Sequence, residues 1–346
     1  MPSPDEAPRA AEVGSLIRRS TRRGLGRWVK PTVTIGLYVL VFYWTDARQI
    51  VGTLRTAQLG TIALCVVLYA AGQALSAFKW RLLIVPVGLA TSYARLVGFY
   101  FTGMFFNLFL PTIVGGDAVK AVLLARETGA PARATMSVFM ERNTGLCALL
   151  AIALVAAYLA PPVTLYGVSL VALTWLLAAG YVAANVALFT PAVYHLVDRV
   201  IALSPLGRIR ARTASLYEAA APYTSAFGVI IFAVIISIAF QAVVIGVVFL
   251  NARALSLSIP LSAVAVFVPL VSLAGMLPVS VNGLGVREAL YILLFGQIGV
   301  PAEAAVSLAL LYLGVTFVAS LPGGLVYALQ KSPASLAASQ AAPDLH

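Results

Sequence analysis

The sequence predicts an all-α, polytopic integral membrane protein with about six full spans, two re-entrant helical hairpins and an inverted repeat. Of its 346 residues, 61% are hydrophobic and only 10% are charged, whereas a soluble domain is about half apolar. Several apolar runs reach the length of about 20 residues that a helix needs to cross a bilayer. Two similar stretches interrupted by Pro and Gly predict the hairpins.

The first element is a basic arm. Seven of the 23 Lys and Arg residues lie within the first 30 positions, which is typical of a cytoplasmic segment before a first span and also suits anionic headgroups. We therefore attribute the net charge of +11 to membrane topology rather than to a nucleic-acid partner. Residues 1–27 and 332–346 lack apolar periodicity and are predicted to be disordered tails that flank one membrane domain over residues 28–331.

Eight long apolar segments and two short ones follow the arm. The short ones are residues 112–125 and 279–297. The long ones are residues 31–45, 59–78, 93–110, 135–159, 165–189, 224–250, 260–277 and 301–329. If all eight long segments crossed the membrane, ten Lys and Arg residues would face outside against five inside, apart from the arm. That distribution contradicts the positive-inside rule.

Pairing each short segment with the long segment before it removes the conflict. Hairpins over about 93–125 and 260–297, the first entering from the cytoplasm and the second from outside, leave only Arg48, Arg55 and Arg253 outside. Irregular backbone at membrane depth is tolerated where it is buried in protein. Charge therefore favours the two hairpins, with both termini in the cytoplasm.

The break in each hairpin carries a related motif. LPTIVGGDAVK at residues 110–120 aligns without a gap on LPVSVNGLGVR at residues 277–287, with five identities in eleven positions and Lys120 on Arg287. Because the hairpins enter from opposite sides, the two copies would form an inverted repeat, which many transporters place around a midplane site. The alternative is two unrelated glycine-rich loops.

Pro111 and Pro278 are predicted to break the helices. Proline removes a backbone donor and disfavours helix in the residue before it, so each apolar run should stop at Leu110 or Leu277. A new half-helix is then expected near Asp117 or Leu284. Glycines that permit the turn lie between the two helices, namely Gly115, Gly116, Gly283 and Gly285.

Each half-helix start suits an anion. The free N–H groups and the positive dipole end of a helix N-terminus favour a group such as phosphate. Lys120 and Arg287 each lie about one turn inside their half-helix and would add a full positive charge. These cations and the glycines are the predicted headgroup site.

Further ionisable residues are predicted to balance these cations or to couple a proton. Asp117 precedes Lys120 by three residues, on the same helical face, and can pair with it. Glu141 can reach Lys120 or Arg287, since neighbours in sequence point about 100° apart on a helix and should meet different partners. Ionisable groups inside a membrane cost several kcal/mol and need a partner or a task. The set is Asp117, Glu141, Arg142 and Glu288.

The sequence gives little support for catalysis. The histidines are His195 and His346, and no Ser/His/Asp, nucleotide-loop or metal-ligand spacing is present. Cys65 and Cys147 fall within apolar runs and are predicted to be packing residues. We expect no catalytic residues, no metal and no cofactor. Lys79-Trp80-Arg81, at the end of the second span, is interpreted as an interfacial anchor.

Together these motifs resemble the lysylphosphatidylglycerol synthase transmembrane region, a family that includes flippase-like membrane proteins. The combination of GGD-x-x-K, ER and NGLGVRE is fairly specific. The resemblance implies a lipid translocator without the soluble aminoacyl-transferase domain, and it adds Asn282 to the headgroup site. Lys120 departs from the arginine common in the family, which loses bidentate phosphate geometry. The matching residues are Lys79-Trp80-Arg81, Asn107, Pro111, Gly115-Gly116-Asp117, Lys120, Glu141-Arg142, Pro278, Asn282-Gly283, Gly285, Arg287-Glu288 and Pro322-Gly323-Gly324.

The leading hypothesis is a flippase of the cell (inner) membrane. It would move an anionic or zwitterionic lipid (a phospholipid, an aminoacyl-phospholipid or a polyprenyl-phosphate-linked lipid) between leaflets, with Lys120 and Arg287 on the phosphate. One alternative is a membrane-embedded transferase with Asp117 or Glu141 as base. Another is an accessory scaffold that docks an envelope or lipid-modifying enzyme on the Arg-rich loop 190–222. Membrane lipids are the expected partners.

Overall fold

The computed structural model describes residues 32–43, 45–110, 115–159, 164–165, 168–190, 193, 196, 199, 207–276 and 279–329, without the side chains of residues 159, 164–165, 168, 207–213 and 282. The described chain is almost entirely helical, which confirms the predicted all-α class. The helices are α1 (Thr32–Tyr43), α2 (Ala47–Arg55), α3 (Leu59–Ile84), α4 (Tyr93–Phe109), α5 (Gly115–Thr128), α6 (Pro131–Leu159), α7 (Leu170–Phe189), α8 (Gly207–Ser225), α9 (Phe227–Ala254), α10 (Leu261–Gly275), α11 (Val286–Gly296) and α12 (Ala302–Leu329).

Two small elements join these helices. A two-residue antiparallel ladder, β1 (Thr164–Leu165) and β2 (Val168–Ser169), precedes α7, and a 3₁₀ turn (Val281–Gly283) precedes α11. Both are short connections that the apolar pattern of the sequence did not predict.

Within the described residues, five helices, α3, α6, α7, α9 and α12, are long and apolar enough to cross a membrane. The sixth predicted span, residues 31–45, is described as the shorter helix α1. The long helices present large apolar side chains outward, on surfaces that lipid chains would cover. Examples, one from each long helix, are Leu64, Val155, Leu176, Ile235 and Leu325.

Both predicted hairpins are present as antiparallel helix pairs. In α4–α5, Asn107 meets Gly116 near the turn, and Arg95 pairs with Glu127 at the other end. In α10–α11, the rings of Phe267 and Phe295 lie 5.2 Å apart. The four helices have 17, 14, 15 and 11 residues, all fewer than the about 20 needed to cross. Their re-entrant placement stays a prediction that these lengths support.

The predicted ends of the hairpin helices were displaced by about one turn or less. α4 ends at Phe109, with Leu110 as its C-cap, and α5 begins at Gly115 rather than near Asp117. α10 ends at Gly275, before Leu277, and α11 begins at Val286 rather than Leu284. The two proline breaks, Pro111 and Pro278, lie outside the described residues.

Helix α6 holds the centre of the fold. It packs against α3, α5, α7, α8, α9 and α10, and therefore touches one member of each hairpin. Two helices that lie mostly outside the predicted apolar segments, α2 and α8, pack at the periphery. Both are polar on average, so they lack the apolar run that identifies a span. The side chain of Asp46 caps α2 by accepting from the N–H of Arg48 at 2.8 Å.

Candidate functional site

A polar cavity of about 310 Å³ joins the two hairpins, at the small end of the range of about 300–1,000 Å³ found for ligand sites. Its walls come from α3, α4, α5, α6, α9, α10, α11, α12 and the 3₁₀ turn. The motif cations of both repeats, Lys120 and Arg287, line it. The other polar and tyrosine residues in the wall are Tyr69, Gln73, Tyr100, Asn107, Asp117, Arg142, Gln241, Ser272, Tyr291 and Tyr312.

Five ionised side chains form a connected network at one side of this cavity. Asp117, Lys120 and Arg142 line the cavity, and Lys79 and Glu141 lie outside its lining. Glu141 lies at the centre of the network, 2.9 Å from Lys79 Nζ and 3.1 Å from Lys120 Nζ. Lys120 Nζ is also 2.9 Å from Asp117 Oδ1, and Arg142 Nε is 2.5 Å from Asp117 Oδ2. All but Arg142 are at most 6% exposed. Three cations against two carboxylates leave this network with a net charge of +1.

The network forms because two helices approach closely at glycines. A Cβ on Gly116 of α5 would overlap the backbone oxygen of Gly103 of α4 and lie 2.7 Å from the side chain of Asn107. The absence of side chains at these two positions brings the first turn of α5 against α4. Asp117 and Lys120, three residues apart on α5, then face α6, where Glu141 and Arg142 lie.

Lys120 is buried among aromatic rings as well as carboxylates. Besides its two carboxylate partners, Nζ lies 4.2 Å from the ring centroid of Tyr100 and 5.7 Å from that of Trp80, and both rings contribute cation–π attraction. Tyr100 in turn donates to Glu141 Oε1 at 3.2 Å. The expected pairing of Lys120 with Asp117 and Glu141 is therefore present. Two carboxylates compensate the charge of Lys120, and its predicted contact with a lipid phosphate stays a prediction.

Arg142 and Arg287 are the cations with side-chain surface directed into the cavity. Arg142 exposes 40% of its side chain although it lies on the central helix, and its contact with Asp117 uses Nε. Arg287 exposes 16%, and its Nη2 lies 3.3 Å from Glu288 Oε1. The buried Nε of Arg287 has no hydrogen-bond partner among the described residues. Arg142, predicted to balance charge or to couple a proton, therefore exposes more of its side chain than Lys120, whose side chain is 4% exposed.

One N–H group near each half-helix start already has a side-chain partner. The N–H of Gly116 donates to Asn107 Oδ1 at 2.6 Å, and the N–H of Gly285 donates to Glu288 Oε2 at 2.7 Å. Gly285 has φ of 82°, in the left-handed region that favours glycine. Of the predicted glycines, the cavity wall includes Gly116 and Gly283.

The other predicted glycines and polar residues have structural positions. Gly115 is buried, and a Cβ there would lie 2.7 Å from the side chain of Leu110. Glu288 is fully buried as the cap of α11, which gives it a structural task beside its contact with Arg287. The side chain of Asn282 lies outside the described residues.

The interpretation of Lys79 and Trp80 as interfacial anchors was wrong. α3 continues to Ile84 and carries both residues into the interior, where they are 2% and 0% exposed. Lys79 binds Glu141, and Trp80 Nε1 donates to Ser137 Oγ at 3.0 Å. Arg81 is exposed, as an anchor would be.

The sequence reading missed several residues of the wall. Gln73 and Gln241 lie in the middle of apolar spans. An isolated amide at such a position indicates a polar site, because buried polar groups in a membrane need a partner or a task. The wall tyrosines gave no signal of this kind, since tyrosine is common in apolar helices.

The motifs and the helices agree with a known family. The family model described as Lysylphosphatidylglycerol synthase TM region matches residues 27–323, which include both hairpins and the cavity. The chain belongs to this family. No curated protein matches it. Membership, together with the five long apolar helices, makes the chain a multi-pass membrane protein of lipid metabolism or translocation.

Proposed function

We propose that this family member is a flippase that moves a phosphate-bearing lipid between the leaflets of the inner membrane, with Arg142 and Arg287 binding the phosphate. The observation that carries the proposal is the convergence of both hairpins on one polar cavity. Its wall contains three cations, Lys120, Arg142 and Arg287, and one carboxylate, Asp117. A cavity with this excess of positive charge at the centre of a membrane protein suits an anionic headgroup.

The packing of both hairpins on α6 supports the proposed route for the headgroup. α5 and α10, one helix from each hairpin, pack on α6, which carries Arg142. In our proposal the hairpins re-enter from opposite sides, with the N-terminus in the cytoplasm. Each hairpin then opens the cavity to one leaflet in turn. The lipid phosphate passes between Arg142 and Arg287 while its hydrocarbon chains stay in the bilayer.

Reconstitution in liposomes tests the proposal. Fluorescent phosphatidylglycerol is placed in both leaflets, and a membrane-impermeant quencher measures its transfer from the inner leaflet. Removing a guanidinium removes charged hydrogen bonds worth about 1.5–3 kcal/mol. Arg142→Gln and Arg287→Gln should therefore each weaken phosphate binding by roughly 10- to 150-fold, and the double variant should abolish protein-dependent transfer.

Arg95→Gln is the matched control. Arg95 also pairs with a carboxylate, at 2.9 Å from Glu127, but its side chain is 65% exposed and lies outside the cavity wall. Its transfer rate should equal that of the unsubstituted protein. Unchanged transfer by a folded Arg142→Gln/Arg287→Gln variant would overturn the proposal.

A further inference from the structure

An apolar cavity of about 630 Å³ adjoins the polar one. It lies between α6, α7, α10 and α11, and Met276 lines both cavities. Leucines dominate its wall. Its outer side is formed by α7, the long helix whose apolar stretch has the smallest fraction buried inside the protein, 11%. The members from α6 and α7 include Leu146, Leu150, Leu170, Leu173, Leu177 and Leu188. A space of this composition suits hydrocarbon, and Met276 is the residue that it shares with the wall of the proposed phosphate site.

Three polar side chains interrupt this apolar wall. Asn143 Nδ2 donates to Asn185 Oδ1 at 2.5 Å, Asn185 Nδ2 donates to the backbone oxygen of Tyr181 at 2.9 Å, and Tyr181 Oη donates to the backbone oxygen of Asn143 at 3.1 Å. An amide nitrogen has two N–H groups. The Asn185 amide also contacts the Tyr181 hydroxyl, whereas Asn143 keeps one N–H that the hydrogen bonds within the described residues do not use. Hydrocarbon alone gives this donor no acceptor.

Two neighbouring residues of α6 line the two cavities. Arg142 lines the polar cavity, and Asn143 lines the apolar one. Neighbours in sequence point about 100° apart on a helix, so the two side chains face two cavities from adjacent positions. A glycerophospholipid has a matching arrangement, since its phosphate and its acyl esters are attached to the same three-carbon glycerol. An isoprenyl phosphate has no carbonyl at that place.

We infer that the apolar cavity is an acyl-chain subsite that selects an ester-linked glycerophospholipid, with the Asn143 amide, held in place by its hydrogen bond to Asn185, donating to the ester carbonyl. This inference rests on the proposed function, because the phosphate at Arg142 and Arg287 sets the position of the ester. The Asn143 amide distinguishes an acyl ester from an ether or a prenyl chain. The leucines of the wall enclose the first part of the chain, and the sparsely packed α7 leaves its remainder to the bilayer.

Photo-crosslinking of the full chain in nanodiscs tests the subsite. The probes are 1-acyl-lysophosphatidylglycerol with a diazirine in the chain, its ether-linked counterpart, and a diazirine-bearing prenyl phosphate. Mass spectrometry then maps the labelled residues. Leu150, which is 4% exposed and lines the cavity, should be labelled by the acyl probe, whereas Leu176, 70% exposed on α7, reports random contact with bulk lipid. The ratio of Leu150 to Leu176 labelling is the readout.

We expect this ratio to be about 2- to 12-fold higher for the acyl probe than for the ether probe, the range of one neutral hydrogen bond. Asn143→Leu and, separately, Asn185→Leu should reduce the acyl ratio to the ether value while both variants keep the transition temperature of a folded protein. Ala184→Trp, which fills the cavity, should remove Leu150 labelling, and Leu176→Trp on the lipid face should not.

Equal labelling by the acyl and ether probes, or stronger labelling by the prenyl probe, would overturn the inference. Absence of Leu150 labelling in a protein whose lipid transfer still depends on Arg142 and Arg287 would also overturn it, and would leave the proposed function standing. Transfer that does not depend on the two arginines would instead refute the proposed function.

Discussion

Replacing Glu141 with Gln should destabilise the protein more than any other single neutralisation in the ionic network. The Glu141 carboxylate accepts from Lys79 at 2.9 Å, Lys120 at 3.1 Å and Tyr100 at 3.2 Å. The substitution keeps the shape of the side chain and removes its charge. Lys120 retains Asp117, at 2.9 Å, but Lys79 retains only uncharged partners among the described residues, the backbone oxygen of Glu141 and Ser237 Oγ.

The expected cost follows from the burial of the stranded cation. The side chain of Lys79 is 3% exposed, and removing one partner of a buried ion pair costs about 3–5 kcal/mol, because the other charge stays buried without compensation. The net charge of the network rises from +1 to +2 at the same time. Replacing Lys79 with Met in the same chain returns the network to +1 and removes the stranded ammonium. We therefore expect Lys79→Met to recover most of the loss.

Reversible unfolding in mixed micelles measures these free energies as a double-mutant cycle. The exposed pair of Arg95 and Glu127 supplies the control, since Glu127→Gln should cost no more than about 1 kcal/mol. A cost for Glu141→Gln no larger than that of Glu127→Gln would refute the reasoning. So would a double variant, Lys79→Met/Glu141→Gln, whose losses simply add.

Three further predictions concern packing, recognition and topology. Gly116→Ala should lower the midpoint of thermal unfolding, because the added Cβ meets Gly103 and overpacking costs about 1–3 kcal/mol. Gly180→Ala, with open space around its Cβ, should be neutral or stabilising. Equal midpoints for the two variants would contradict the close helix contact. Arg142→Lys keeps the charge but loses the guanidinium fork, so lipid transfer should fall between that of the unsubstituted protein and that of Arg142→Gln; full activity of the lysine variant would exclude bidentate binding. A single cysteine at Glu127, in a chain without the two native cysteines, should react with an impermeant thiol reagent from the cytoplasmic side, and reaction from outside would mean that α4 crosses the membrane.

The hairpins could be predicted from sequence because local signals and charge counting pointed to the same segments. A short apolar stretch after a helix break has few allowed placements in a membrane, and the positive-inside rule selects one of these placements. The pairing of Asp117 with Lys120 could be predicted for a similar reason, since a spacing of three residues puts two side chains on one helical face.

The burial of Lys79 and the exposure of Arg142 could not be predicted in this way. Lys79 follows an apolar run, where cations normally mark the interface, and only the packing of α3 against α6 and α9 shows that the helix continues into the interior. Glu141 and Arg142 are adjacent, so their spacing predicts that they diverge but not which of them faces a cavity. That choice depends on the position of Asp117, which lies on α5, an arm of the first hairpin.

The charges around the cavity also bear on the type of phosphate that fits. With their ordinary charges, the four cations Lys79, Lys120, Arg142 and Arg287 and the three carboxylates Asp117, Glu141 and Glu288 leave a net charge of +1. A phosphodiester, with one negative charge, would bring this buried group to neutrality, whereas a phosphomonoester carries about −1.5 to −2 at pH 7 and would leave an uncompensated negative charge beside Asp117. Uncompensated charge is costly in a buried site. A diester lipid such as phosphatidylglycerol should therefore bind more tightly than phosphatidic acid with the same chains, and lowering the pH to about 5 should narrow the difference, since protonation reduces the monoester charge. Tighter binding of phosphatidic acid at neutral pH, measured by native mass spectrometry of the purified protein, would show that the acidic side chains do not limit the headgroup charge.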